Sequence, residues 1–306
     1  MKWLAAVALL TLPFATLHAQ EAPDDQKPIQ CDSCAAWNKA QKPFKIYGNT
    51  WYVGTAGLSS VLITSPEGHI LIDGGLPQSG PLIEANIKAA GFKIEDVRMI
   101  LSSHAHFDHA GGIAYLQGKS GARVVASAEG ARVLESGAVA REDAQYDSLK
   151  DMAFPKVKNV RAVRNEETLG VGSLRVTTRL TPGHSPDSAS WTWTSCDKDA
   201  CRDMVFADSL TPVADEGYRF SGDATHPDQS AAFKASIAKV RALSCDIMIP
   251  AHPETKETGK KAAPRKGAAA KAAAGTVFTV PNGCRAYANV ADKALDKRLA
   301  QEKAAK

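Results

Sequence analysis

The sequence predicts an α/β fold in which helices cover β-sheets, and two observations indicate this class. Short apolar segments typical of strands recur in both halves of the chain, and between them lie segments whose apolar residues recur at helical spacing. Strands mixed with helices throughout a chain are typical of sheets packed beneath helices. The 306 residues, 44% hydrophobic and 23% charged, suffice for one large or two small domains with a sizeable core.

The elements follow one another along the chain from about residue 49. Strands are predicted over 49–55, 59–65, 70–73, 97–104, 122–128, 174–180, 188–195, 203–209 and 245–251. Helices are predicted over 81–91, 110–121, 128–137, 230–243 and 285–304. Pro81 and Gly91 lie at the two ends of the first of these helices, as helix boundaries prefer. Most of 138–165 has no clear periodicity, and we interpret it mainly as loop.

The first residues predict a secretory signal peptide over 1–19. A basic start is followed by a short apolar run, and small residues near Ala19 offer a cleavage site. An uncleaved membrane anchor is the alternative, but the apolar run is short for a membrane span. We expect an exported, periplasmic mature chain that forms a single catalytic domain over 20–306. Within it, the Lys/Ala-rich stretch 254–276 is predicted to be a loop insertion.

Charge and composition exclude some kinds of partner. The net charge is only +4, and much of the excess lies in 256–275. No basic stripe interleaved with aromatic residues is present, so no nucleic-acid partner is expected. No later segment approaches the length of a membrane span, so no membrane partner is expected either. We expect a monomer that acts on a small molecule.

Six cysteines in an exported chain indicate disulfides. The chain has a CxxC near its start. One cysteine lies on each side of a polar turn, and one lies on each side of the Lys/Ala-rich stretch. A redox role or half a zinc site is the alternative for the CxxC, but no second CxxC or βαβ pattern accompanies it. The expected pairs are Cys31–Cys34, Cys196–Cys201 and Cys245–Cys284.

The stretch "SHAHFDHAGG", 103–112, places three of the chain's eight histidines and an aspartate within six positions. Imidazole and carboxylate groups are the usual ligands of zinc at catalytic sites. The stretch follows a predicted buried strand, and open α/β sheets tend to have their sites at the C-terminal ends of strands. These ligands cannot all reach one ion easily, so His104, His106, Asp108 and His109 predict two metal ions.

Two more histidines follow predicted strands in the same way. His184 lies in "TPGH" and His252 in "AHP". With them, five histidines and one carboxylate give two sets of three ligands, which leaves open positions for water or substrate, as in catalytic sites. The remaining histidines lack this context: His18 lies in the signal peptide, His69 in a predicted turn and His226 in a polar loop.

With these motifs in this order, the sequence resembles the metallo-β-lactamase superfamily and, more narrowly, its subclass B3. The similarity extends from about residue 37 to residue 252 and includes "ILIDGGLPQSGPLIEANI", "TPGHSPDSASWTWTSC" and "RALSCDIMIPAHP". It implies a four-layer αβ/βα sandwich with a dinuclear site in the groove between two sheets. The Cys31/Cys34 pair and the 254–276 stretch depart from the family pattern.

The resemblance also implies a site and an activity. One zinc ion would be bound by His104, His106 and His184, and a second by Asp108, His109 and His252. Asp108 would orient a zinc-bound hydroxide that attacks the lactam carbonyl, so the expected function is hydrolysis of β-lactam antibiotics, carbapenems included. Ser209 and Thr211 of "DSLT" match positions that bind the substrate carboxylate, and Tyr218 loosely matches a tyrosine near the substrate carbonyl.

Other functions remain open at this point. The same metal motif occurs in glyoxalase-like thioesterases and lactonases, whose "GDT"-like element usually has a carboxylate that bridges the two metals. Asp208 in "ADSL" matches that element, but a structural role is expected because the lactamase similarity extends over several segments. A nuclease is disfavoured by the export signal, and a non-catalytic metal-binding protein by the open ligand sets.

Overall fold

The computed structural model of the protein describes residues 27–253 and 282–304. The predicted signal peptide and the predicted 254–276 insertion lie outside the described residues, so both stay predictions. The strands are β1 Phe44–Tyr47, β2 Thr50–Tyr52, β3 Val61–Ile63, β4 His69–Ile72, β5 Val97–Leu101, β6 Arg123–Ser127, β7 Arg161–Val163, β8 Thr168–Val171, β9 Leu174–Leu180, β10 Ala189–Asp197, β11 Ala200–Ala207 and β12 Ile247–Pro250. The α-helices are α1 Cys34–Trp37, α2 Gly80–Ala89, α3 Phe107–Ala110, α4 Ile113–Ser120, α5 Ala128–Ser136, α6 Tyr146–Leu149, α7 Ser230–Ala242 and α8 Gly283–Ala304.

The strands form two mixed sheets. The first has seven strands in the order β1-β2-β3-β4-β5-β6-β7, and the second has five in the order β12-β11-β10-β9-β8. Strands β1 to β4 are antiparallel neighbours, whereas β4 to β7 run parallel. In the second sheet β11 and β12 run parallel and the other pairs are antiparallel. The chain segments that follow β4, β5 and β6 therefore leave the first sheet at the same edge.

Three groups of buried apolar side chains hold the layers together. Between the sheets, Trp191 and Phe206 of the second sheet pack with Ile70 and Leu101 of the first. Apolar residues of α2 and α4 cover the outer face of the first sheet. Those of α7 and α8 cover the outer face of the second. This arrangement is the predicted four-layer αβ/βα sandwich, and the prediction is confirmed.

The three predicted disulfides are present. The first closes a turn before α1, the second joins β10 to β11, and the third ties the segment before β12 to the first turn of α8. They are Cys31–Cys34, Cys196–Cys201 and Cys245–Cys284.

Local differences from the sequence prediction concern short elements. Strands β1, β7 and β8 are not among the predicted strands, because three or four residues are too few to establish a period. The helix predicted over 110–121 begins only at Ile113, as α4, and Gly111 and Gly112 separate it from the short helix α3, which ends at Ala110. A Cβ on Gly112 would lie 2.3 Å from the carbonyl oxygen of Gly74, so the chain approaches there too closely for a side chain. His69 begins strand β4 and is buried, whereas the sequence placed it in a turn.

Within residues 27–253 and 282–304, no helix is both long enough and apolar enough to cross a bilayer.

Candidate metal centre

The histidine motif lies just beyond the end of β5, in a turn fixed by two buried carboxylates. Asp73 accepts hydrogen bonds from the backbone N–H of Ser103, at 2.7 Å, and from its hydroxyl, at 2.6 Å. Asp187 accepts one from the backbone N–H of Ala105, at 2.7 Å. The backbone on both sides of His104 is therefore held in place. His106 follows as the residue before α3, whose first turns contain Asp108 and His109.

The other two histidines reach the same groove from the second sheet. His184 lies in the turn between β9 and β10, and His252 lies two residues after β12. Gly183 lets the turn that contains His184 pack closely against α7, because a Cβ at this position would lie 2.1 Å from Cδ2 of Phe233. Its φ of 154° is also one that residues with a side chain rarely adopt. The cluster thus forms where turns from both sheets meet.

His104, His106 and His184 form one group of donor atoms, all within 4.8 Å of one another. Their ring centroids form a triangle with sides of 4.6, 5.1 and 5.1 Å. Each side chain is buried. Zinc can be bound by three histidines with a further position left for water or substrate, so this group fits a catalytic zinc ion.

Asp108, His109 and His252 form a second group. Oδ2 of Asp108 lies 3.4 Å from Nε2 of His109 and 3.4 Å from Nε2 of His252, and the two nitrogens are 3.0 Å apart. Zinc bonds of about 2.0–2.2 Å at tetrahedral angles separate neighbouring ligand atoms by roughly 3.3 Å. The second group therefore also fits zinc. The rings of His104 and His109 are 4.3 Å apart, so the two groups are neighbours.

In the first group, each ring presents one nitrogen to the shared centre and uses the other to donate a hydrogen bond. Nδ1 of His104 faces Oδ1 of Asp208 at 2.8 Å, and Nδ1 of His184 faces the carbonyl oxygen of Thr211 at 2.9 Å. His106 uses Nε2, which faces Oδ2 of Asp143 at 3.0 Å. Because these oxygens accept, the ring nitrogens that face them hold the proton, which leaves the opposite nitrogens as unprotonated ligand atoms.

In the second group, Nδ1 of His252 faces the carbonyl oxygen of Gly57 at 3.2 Å, and Nδ1 of His109 lies 3.5 Å from Oδ2 of Asp73. Their Nε2 atoms face Asp108. These contacts of the two Nδ1 atoms orient the rings, and such contacts on the outer nitrogen are typical of metal-binding histidines. In the first group, Nε2 of His104 is buried without a hydrogen-bond partner among the described residues.

The local charges suit cations in this groove. Burial and the facing rings of His104 and His106 lower the pKa of His184 to about 3, so the ring is neutral as a ligand must be. Burial disfavours charge on His109 as well, but the carboxylates of Asp108 and Asp73 outweigh burial and raise its pKa to about 10. A positive charge is therefore stabilised at the second group, where a metal ion would supply it.

A cavity of about 780 Å³ opens onto both groups. Ser209 and Thr211 line it, whereas Tyr218 is not among the lining residues. Tyr218 packs instead against Phe220, with ring centroids 5.3 Å apart. The lining consists of Gln30, Cys31, Asp32, Ser33, Trp37, His104, His106, Phe107, Asp108, Gln145, Leu149, Met152, His184, Ser209, Thr211, Val213 and His252.

Sequence reasoning missed most of the residues that orient the histidines. Asp187 lies in "SPDS", three residues after His184, and Asp73 lies in "LIDGG", directly after a buried strand; these positions are the signals that could have identified them. Asp143 lies in a stretch without periodicity and offers no such signal. Asp208 is completely buried and bonds the outer nitrogen of His104, and neither group of converging donor atoms includes it.

Comparisons with known proteins agree with this geometry. The family model described as "Metallo-beta-lactamase superfamily" matches residues 54–252. The chain belongs to the metallo-β-lactamase superfamily. The subclass B3 resemblance is confirmed by solved structures: Rm3 metallo-β-lactamase has 46% identity and a TM-score of 0.82 over 90% of this chain and 100% of that one. MEM-A1, a subclass B3 enzyme from a soil metagenome library, has 46% identity and a TM-score of 0.80 over 88% and 100%.

Curated relatives include other hydrolases of the superfamily. A hydroxyacylglutathione hydrolase of Bradyrhizobium sp. is 31% identical over 56% of this chain and 53% of its own length. An N-acyl homoserine lactonase of Bacillus cereus is 30% identical over 42% of this chain and 55% of its own length. The chain spans about half the length of the curated relatives it matches.

Proposed function

We propose that the protein hydrolyses the amide bond of β-lactam antibiotics, carbapenems included, in a reaction that depends on two zinc ions. The observation that supports this most strongly is the pair of adjacent three-ligand groups beside one cavity, in a chain whose similar solved structures are subclass B3 enzymes. In this proposal His104, His106 and His184 bind one ion, and Asp108, His109 and His252 bind the other.

Bound zinc would supply Lewis acidity and lower the pKa of a water molecule to near 7. The chain's own residues would do the rest. The carboxylate of Asp108 would accept a hydrogen bond from the attacking water and orient it towards the lactam carbonyl. The burial of the histidine rings would exclude bulk water from the reacting atoms.

Substrate recognition would rely on neutral polar groups and an apolar wall. The hydroxyls of Ser209 and Thr211 would bind the substrate carboxylate, since both residues line the cavity. Nε2 of Gln145, another lining residue, is a buried amide donor without a partner in the described structure and would donate to a substrate oxygen. Trp37 and Met152 would pack against the substituents. A contact from Tyr218 stays a prediction without support from the cavity lining.

A thioesterase or lactonase activity is the second candidate, because curated relatives have those names. The resemblance implies that such enzymes use a metal-bridging carboxylate at the position of Asp208. Here Oδ1 of Asp208 faces the outer nitrogen of His104, away from that ring's ligand nitrogen. This arrangement favours the lactamase activity.

The test compares kcat/KM of the purified zinc-loaded protein for imipenem, an S-acylglutathione thioester and an acyl homoserine lactone. The proposal expects imipenem to be hydrolysed most efficiently, with activity lost in His106→Ala and retained in His226→Ala. The matched control removes a histidine outside both groups. Higher efficiency on the thioester or lactone would contradict the proposal.

We also propose that the protein acts in the periplasm. Three disulfides in the described residues support an oxidising compartment. Fractionation of cells that express the whole chain tests this, because activity confined to the cytoplasmic fraction would contradict it.

A further inference from the structure

Few charged side chains line the cavity. Among the lining residues that the structure describes, there is no lysine or arginine, and apart from Asp108 the one acidic side chain is Asp32. Asp32 is exposed, and its carboxylate has no hydrogen-bond or ion-pair partner within the described parts of the chain. It therefore places an uncompensated negative charge at the wall of the cavity.

The backbone around Asp32 is anchored. Asp32 lies inside the turn closed by the Cys31–Cys34 disulfide, and Cys34 is buried at 2% exposure. Before the turn, the backbone N–H of Ile29 donates to the side chain of Gln78, which in turn donates to the carbonyl oxygen of Ile29, at 3.1 and 2.9 Å.

After the turn, the carbonyl oxygen of Trp37 accepts a hydrogen bond from the hydroxyl of Thr55 at 2.6 Å. The ring of Trp37 lies 5.2 Å from that of His252, at the second ligand group. The disulfide and these anchors hold the Asp32 turn beside the metal-binding groups.

We propose that Asp32 is a specificity-determining residue that favours β-lactams with a cationic substituent over otherwise similar neutral ones. The inference rests on the proposed function and names a substrate class for it. A carboxylate on the wall attracts an ammonium group on the substrate, and no lysine or arginine in the described lining competes with that group for Asp32. Two opposite charges about 6 Å apart in a nearly aqueous medium favour binding by about threefold.

The experiment measures kcat and KM for two matched pairs of substrates. Ampicillin and benzylpenicillin differ by one ammonium group on the acyl side chain. A cephalosporin with a quaternary ammonium substituent at the 3′ position and its neutral acetoxy counterpart test the other side of the nucleus. Asp32→Asn is expected to lower the ratio of kcat/KM, cationic to neutral, about threefold in at least one pair, through KM rather than kcat. Salt of about 0.5 M lowers the wild-type ratio in the same pair.

Two further variants make the result specific. Asp96→Asn removes the same charge from a half-exposed aspartate before β5, outside the cavity lining, and is expected to leave both ratios unchanged. The double variant Cys31→Ala/Cys34→Ala keeps Asp32 but releases its turn, and its ratio is expected to fall towards that of Asp32→Asn at unchanged zinc content.

The outcomes separate this inference from the proposed function. Wild-type hydrolysis with both ratios unchanged in Asp32→Asn overturns the role of Asp32 alone. A zinc-loaded wild type that hydrolyses none of the four substrates overturns the proposed function and this inference together. An equal change in Asp96→Asn shows an effect of net charge and also overturns the inference.

Discussion

Replacing Asp208 distinguishes an orienting carboxylate from a metal ligand. Its Oδ1 accepts from Nδ1 of His104 at 2.8 Å, and both side chains are at most 1% exposed. In Asp208→Ala the buried ring N–H of His104 would keep only the more distant hydroxyl of Ser103, at 3.4 Å, as an acceptor, at a cost of about 1–3 kcal/mol. Because 1.4 kcal/mol corresponds to tenfold in an equilibrium constant, zinc affinity at the three-histidine group should fall by about 5- to 150-fold.

Asp208→Asn should have a smaller effect. The asparagine oxygen can still accept from His104, and a neutral hydrogen bond is about half as strong as a charge-assisted one. The loss should therefore be about 1 kcal/mol, or roughly fivefold in affinity. A bridging carboxylate would behave differently, because the amide could not replace it between two cations.

The assay is competition for zinc between the protein and a chromophoric chelator, with unfolding followed in parallel to confirm the fold. We expect both variants to bind two zinc equivalents. Affinity should be highest in the wild type, lower in Asp208→Asn and lowest in Asp208→Ala. Loss of both equivalents in Asp208→Asn, or unchanged affinity in Asp208→Ala, would refute the orienting role of Asp208.

Three further predictions follow from the same structure. Asp187→Asn should weaken zinc binding at the three-histidine group by about 10- to 100-fold, measured by the same competition, because it loosens the turn that contains two of the ligands. Zinc affinity at the second group should increase about tenfold per pH unit between about pH 7 and 9. The reason is that zinc must displace the proton of His109, whose pKa is about 10. Calorimetry in several buffers should detect about one proton released when this zinc ion binds. Removing the Cys245–Cys284 disulfide, 39 residues apart, should lower the free energy of unfolding by about 4 kcal/mol in denaturant titrations.

Each of these has a control. Asp203→Asn changes an aspartate of β11 that bonds Thr194 and Ser244 away from both groups, and its zinc affinity should equal that of the wild type. Calorimetry that detects proton uptake, or an affinity independent of pH, would contradict the role of His109. The other disulfide of the second sheet spans 5 residues, and its removal should cost only about 2 kcal/mol; a larger loss there than for the long loop would contradict the estimate.

The six candidate ligand residues could be singled out from the sequence because each lies in or near a turn that follows a buried strand. His104 and His106 are two residues apart in the turn after β5, and His252 comes two residues after β12, so strand assignment places each of them just beyond the end of its strand. The two strands lie in different sheets, so their meeting also depends on how the sheets pack. The second sheet's strands β9 to β12 also match their predictions closely, because long alternating segments such as 188–195 have a strong periodic signal.

The supporting residues could not be predicted in the same way. An isolated aspartate such as Asp143 most often caps a turn, so nothing in the local sequence indicates that it lies behind a histidine. The partners of the supporting residues depend on how two sheets pack, which local patterns do not specify. Tyr218 matches its position only loosely in spacing, and its ring packs against Phe220 outside the cavity lining, so its contact with a substrate stays a prediction.

Imipenem hydrolysis during a stepwise zinc titration of the chelator-stripped protein is the most direct test of the proposed two-zinc activity. We expect no turnover without zinc and a rise to a plateau at about two equivalents per chain, because both groups of candidate ligands face one cavity. The proposed function is wrong if the folded, zinc-saturated protein hydrolyses no imipenem, and a plateau at one equivalent overturns the role of the Asp108, His109 and His252 group.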